Sequence, residues 1–156
     1  MRFPIVSIAI LSATLALGGC TSRAHLTTPA GFAQIDGGKF DYRATNPDGV
    51  VVGVRSHKNA VHGNLDFWTR VLSKSLEDQA YKPEVGKARN IKSADGVEGR
   101  QIRYTLASGG REEKYWLTLF VTDDRVYVVE AGGDTAYFDQ DVAPKIEEAI
   151  ASLKMS

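Results

Sequence analysis

Tyr115-Trp116-Leu117-Thr118-Leu119-Phe120-Val121 holds an apolar or aromatic side chain at every position but Thr118. Successive side chains of a strand point to opposite faces, so a strand that is apolar at both parities belongs in the middle of a sheet covered on both sides. Tyr115, Leu117, Leu119 and Val121 make one face; Trp116 and Phe120 share the other with Thr118. Trp116 tests how complete the cover is. Beneath a helix or folded-back chain it is core, and in an open groove it is a candidate ligand-binding anchor. Core is the expectation, because folded domains rarely leave broad apolar patches open.

Moving outward, Ile102, Tyr104 and Leu106 alternate with Gln101, Arg103 and Thr105, and Ser108-Gly109-Gly110 ends that strand. On the other side Asp123-Asp124 connects to an apolar strand, Arg125 to Ala131, closed by Gly132-Gly133. Val142, Ile146, Ile150 and Leu153 then predict a closing helix. With Asp141 as its N-cap, Pro144 falls in the first turn, where its missing amide hydrogen matters little. Earlier in the chain Leu65, Trp68, Leu72 and Leu76 repeat with helical period, widened by Phe67 and Val71, with Asn64 as N-cap. Before that helix, Phe40, Tyr42 and Ala44 alternate with polar residues, Asn46-Pro47-Asp48-Gly49 turns the chain, and Val50, Val52 and Val54 line one face of a second strand. This order predicts an α+β domain over residues 39–156, an antiparallel sheet of about five to seven strands flanked by helices.

Four of these phrases resemble the PsbP-like family: Asn46-Pro47-Asp48-Gly49 before a valine-rich strand, Leu65 to Leu76, Tyr115 to Phe120, and Val126-Tyr127-Val128-Val129-Glu130-Ala131. The resemblance covers residues 31 to 154 and implies an α/β/α sandwich. The family includes bacterial envelope lipoproteins, photosystem accessory subunits and chaperones of secreted membrane-inserting proteins. It is largely a family of non-enzymatic binding modules, so the resemblance implies binding rather than catalysis.

Met1-Arg2 precedes a charge-free run from Phe3 to Gly19, the layout of a secretory signal peptide. A spanning helix needs about 20 consecutive apolar residues, whereas this run is broken by Pro4, Ser7, Ser12 and Thr14. Leu17-Gly18-Gly19-Cys20 resembles the lipobox of bacterial lipoproteins, which implies a diacylglycerol thioether on Cys20, cleavage before it, and commonly a third acyl chain such as palmitate. The expected partner is therefore a membrane, held through Cys20. Thr21 in place of Asp implies the outer membrane, facing the periplasm. Residues 20–38, rich in Ser, Thr, Pro, Ala and Gly, read as a tether whose far end docks through Phe32 and Ile35.

Without residues 1–19 the chain has 18 basic and 19 acidic side chains, because Arg2 is the only charge removed from 19 of each sign. That balance argues against a nucleic-acid partner. Cys20 is the only cysteine, so no intrachain disulfide can form.

No Gly-x-Ser-x-Gly elbow and no Gly-x-x-x-x-Gly-Lys phosphate loop occurs. Enzymatic activity is not expected, and no cofactor is implied. His57 and His62, with Asp66 nearby, form a candidate zinc pair and carry the alternative reading, an envelope enzyme or metal-binding protein. Exposed loop histidines are the simpler account. Strand parity supplies a second set. If Phe40, Tyr42, Val50, Val52, Ile102 and Tyr104 share one core face, then Arg43, Arg55, His57, Gln101 and Arg103 share the other and could bind an anion. The plainer reading is a solvated face on which Asp41 and Glu130 neutralise the arginines. The expected function is a lipid-anchored, non-enzymatic envelope domain that binds a protein or small ligand in an accessory or chaperone-like role.

Overall fold

The computed structural model describes residues 24–36, 38–86 and 88–155. The leader and Cys20 lie outside the described residues. In chain order the elements are β1 (Ala33–Gln34), β2 (Tyr42–Thr45), β3 (Val51–Lys58), α1 (Leu65–Asp78), β4 (Lys82–Pro83), β5 (Arg89–Lys92), β6 (Glu98–Ser108), β7 (Arg111–Val121), β8 (Arg125–Asp134) and α2 (Val142–Ala151). All strand pairings are antiparallel. The sheet runs β1-β2-β3-β8-β7-β6-β4, and β5 pairs with β6 on the same side as β4. Among the described residues there are eight strands where about five to seven are expected, because β1 and β4 have two residues each. Two residues are too few to leave a period.

β7 lies between β6 and β8, as its two apolar faces require. On one face Trp116 and Phe120 join Tyr42, Val52, Val54 and Val129 beneath Ile146 and Ile150 of α2. On the other, Leu117 and Leu119 join Tyr104, Val126 and Val128 beneath Leu65, Trp68, Leu72 and Leu76 of α1. At Gly99 a β-carbon would stand 2.5 Å from the Leu119 carbonyl oxygen. Glycine there lets β6 close onto β7.

Helices α1 and α2 are capped differently. Asn64 Oδ1 accepts from the Phe67 amide at 2.9 Å, as the sequence predicts for α1. For α2, Asp141 holds the N-cap position, as the sequence predicts, but the capping bonds come from another side chain. The Asp141 side chain caps nothing, and Asp139 Oδ1 accepts from the Asp141 and Val142 amides, each at 2.9 Å. The turn before the helix folds back so that the earlier carboxylate reaches the free amides.

The expected tether is also corrected, because from Ala24 onward it is part of the domain. Ala24 and Leu26 are buried in the α2-side core. The His25 amide donates to the Lys154 carbonyl at 3.0 Å and the Lys154 amide to the His25 carbonyl at 2.9 Å. The Thr27 amide donates to Ser152 Oγ at 2.8 Å. Phe32 packs against the same core, whereas Ile35 is exposed. Two apolar residues two positions apart, Ala24 and Leu26, give too little pattern to separate an edge segment from a linker.

Candidate ligand-binding groove

α1 covers its side of the sheet incompletely. Thr69 is its one buried residue; Leu65, Trp68, Leu72 and Leu76 are half-buried, and Phe67 and Val71 are exposed. Where the helix stands off from β3 and β8, a cleft of about 310 Å³ opens. Its walls are Trp68, Leu72, Ser75 and Leu76 of α1, and its floor is Leu117, Val126 and Val128, with His57 at the rim.

One end of the cleft is polar. Gly53 of β3 pairs with Glu130 of β8, which brings the neighbouring Arg55 beside the carboxylate. Arg55 Nε donates to Glu130 Oε2 at 2.8 Å, and an Arg55 terminal nitrogen binds the same oxygen. The Tyr115 hydroxyl donates to Glu130 Oε1 at 2.5 Å. Burial, reinforced by the Glu130 charge, raises the Tyr115 phenol well above its ordinary range, so it stays a neutral donor. Both Glu130 oxygens are thus occupied and its charge is matched. The cluster offers a polar, near-neutral rim rather than a free base.

Beyond the cluster a second cavity of about 480 Å³ shares Arg55, Tyr115 and Glu130 with the first. Phe40 lies over Gly53, where a β-carbon would come within 2.8 Å of its ring. The Arg55 and Arg43 guanidinium carbons stand 4.8 and 5.4 Å from the Phe40 ring centre. Arg43 Nε is buried without a hydrogen-bond partner.

The parity set is corrected in part. Arg43, Arg55 and His57 share the α1 face, but Gln101 and Arg103 lie on the α2 face, opposite Thr118 and Trp116 across the β6–β7 pairing. Both faces of this sheet carry a core, so the apolar side of β2 and β3 and the apolar side of β6 are opposite sides. Alternation alone cannot distinguish them. Gln101 is fully buried, and its Oε1 accepts from Arg89 Nε at 3.0 Å and Arg103 Nε at 3.1 Å. Arg89 and Arg103 both pair with Glu147 of α2, and Arg103 lies 3.8 Å over the Trp116 ring. These groups join the sheet to α2 and line neither cavity. Trp116 is 3% exposed and packs edge-on against Phe138 at 4.8 Å. It is core, as the strand pattern favours, and not a groove anchor.

His57 borders the cleft and is exposed; His62 is an exposed loop residue with φ 49°. Among the described residues no three His, Cys, Asp or Glu side chains converge as a metal site would require. Sequence reasoning missed Tyr115, Leu72, Ser75, Leu76, Val126 and Val128 as groove residues. Glu130 left a signal, as the one charge in the otherwise apolar Val126–Ala131 run.

No family model and no curated protein matches the chain. Solved structures do. The cyanobacterial PsbP (CyanoP) of Synechocystis, at 13% identity, superposes with a TM-score of 0.53 over 89% of this chain and 96% of that one. The fold is PsbP-like. The same PsbP-like fold superposes on LpqN of Mycobacterium tuberculosis, described as involved in cell envelope biogenesis, with TM-score 0.65 and 11% identity over 89% of this chain and 87% of that one. A Bacteroides thetaiotaomicron protein matches at TM-score 0.55 and 15% identity over 85% of this chain, which spans only 45% of that protein's length. Among the described residues no helix is long and apolar enough to cross a membrane.

Proposed function

We propose that this PsbP-like domain is a non-enzymatic binding module of the bacterial cell envelope, anchored through lipidated Cys20, and that it receives an apolar part of its protein or small-ligand partner in the α1 groove. The observation that carries this reading is the half-covered apolar face of α1 above a floor of Leu117, Val126 and Val128. A concave apolar site with a few polar groups at one end is the usual form of a ligand pocket. The engaged state of Glu130 favours binding over acid–base catalysis, since the carboxylate in the cleft is already held by Arg55 and Tyr115. The lipobox, and a structural neighbour described as serving envelope biogenesis, support the address.

Ser75 lines the cleft from α1 and is exposed, so Ser75→Trp fills the groove without removing core atoms. An apolar naphthylamine dye should brighten on the purified domain, and Ser75→Trp should abolish the response at unchanged melting temperature. Equal dye response in the variant would reject the groove. Affinity capture from detergent-solubilised envelopes, with the Ser75→Trp protein as control, then identifies the natural partner.

A further inference from the structure

We propose that the lipid anchor is a short strap rather than a tether, and that it holds the α2-side end of the domain against the bilayer with the groove on the far side of the sheet. The inference rests on lipidation of Cys20, as proposed above, taken together with the burial of Ala24, the first of the described residues. Only Thr21, Ser22 and Arg23 separate the two. A fully extended chain spans at most about 3.6 Å per residue, so the Cys20 and Ala24 α-carbons lie within about 14 Å of each other.

Ala24 is itself fixed. It and Leu26 are buried in the α2-side core, and His25 between them exchanges two backbone hydrogen bonds with Lys154. The Tyr42 hydroxyl donates to Thr28 Oγ1 at 2.9 Å, and the His25 ring stands edge-on to Tyr42. The same end gathers the turn after β5, where the Ala94 amide donates to the Leu153 carbonyl and Asp95 accepts from the Met155 amide. His25, Asp95, Lys154 and Met155 therefore surround the point where the chain leaves for the membrane, and this rim faces the lipid headgroups. α1 and its groove lie on the opposite face of the sheet. The geometry suits a partner that arrives from the aqueous side.

The unique native cysteine is taken by lipid, so a single introduced cysteine can carry a fluorophore. Lys154→Cys marks the rim, and Glu77→Cys marks α1 across the sheet; both side chains are exposed. The full lipidated chain is reconstituted in phosphatidylethanolamine–phosphatidylglycerol vesicles containing lipids with a nitroxide on the headgroup. Labelled variants are first checked for parental melting. Quenching should be strong at residue 154 and weak at 77. A Gly/Ser insertion of about 20 residues between Arg23 and Ala24, with a root-mean-square span of roughly 25 Å, should erase the difference. Equal quenching at the two positions without the insertion, or a difference that survives it, overturns the strap while flotation with the vesicles keeps the anchor. Failure of the unlabelled native chain to float with the vesicles overturns strap and anchor together.

Discussion

The proton on Tyr115 makes a residue-scale prediction about alkaline stability. Burial and the Glu130 charge raise its folded-state pKa above the ordinary 10.0, and burial raises Tyr81 and Tyr104 in the same direction. Above about pH 10 the unfolded phenols lose protons that the folded state keeps, so the folded state binds more protons and stability falls as pH rises. The contribution is complete below that pH. Tyr115→Phe should therefore flatten the alkaline loss seen in melts, and at neutral pH it should cost about 1.5–3 kcal/mol for the charge-assisted bond to Glu130. Trp116→Ala should cost about 3–5 kcal/mol, as a large-to-small core change, and it removes the ring beneath Arg103. Preserved melting would contradict its place in the core. What was legible at this scale was charge. Glu130 was legible as a counter-charge to the arginines, and it does pair with Arg55, whereas the difference between Arg55 and Arg103 depends on which face of the sheet each residue occupies, and that depends on packing distant in sequence.

At the scale of elements, the helix caps separate residues that composition treats alike. Asn64→Ala should destabilise by about 1 kcal/mol through loss of the bond to Phe67. For α2, Asp139→Ala should cost a similar amount, about 1 kcal/mol, while Asp141→Ala should leave the denaturant midpoint nearly unchanged. Comparable losses at both positions would contradict the observed capping bonds. α1 has one buried residue against three in α2. Native-state hydrogen exchange should therefore be faster in α1 than in α2 or β7, because weakly buried elements open locally before the global transition. The long elements were legible because their hydrophobic periods extend over several turns or several alternations. β1, β4 and β5 were not, being short, mostly exposed edge strands whose existence depends on β2 and β6 presenting free backbone groups.

For the whole molecule, the layered architecture was legible from one strand, since two apolar faces on β7 demand cover on both. The groove was not, because it arises from the distance at which α1 settles, and the helix's apolar stripe reads the same whether fully or half covered. Cys20→Ser should leave the chain unprocessed or mislocalised while the domain still folds, because the core described from Ala24 onward is built without that side chain. Mass spectrometry showing an unmodified Cys20 thiol in the native mature protein would refute lipidation. The sheet order also sets a timetable. β3 pairs with β8 through partners such as Val54 and Val129, and the segment at His25 pairs with Lys154, so both ends of the sequence must be present before the sheet closes. Non-local pairings of this kind slow folding, into the millisecond-to-second range for β-rich domains. A chain delivered from its N-terminus would present the β2–β3 hairpin first, with Val52 and Val54 bare and the β3 edge open until β8 arrives. During that interval the open β3 edge and the bare valines would favour association with neighbouring chains, a tendency that ends when the last strand and helix cover them.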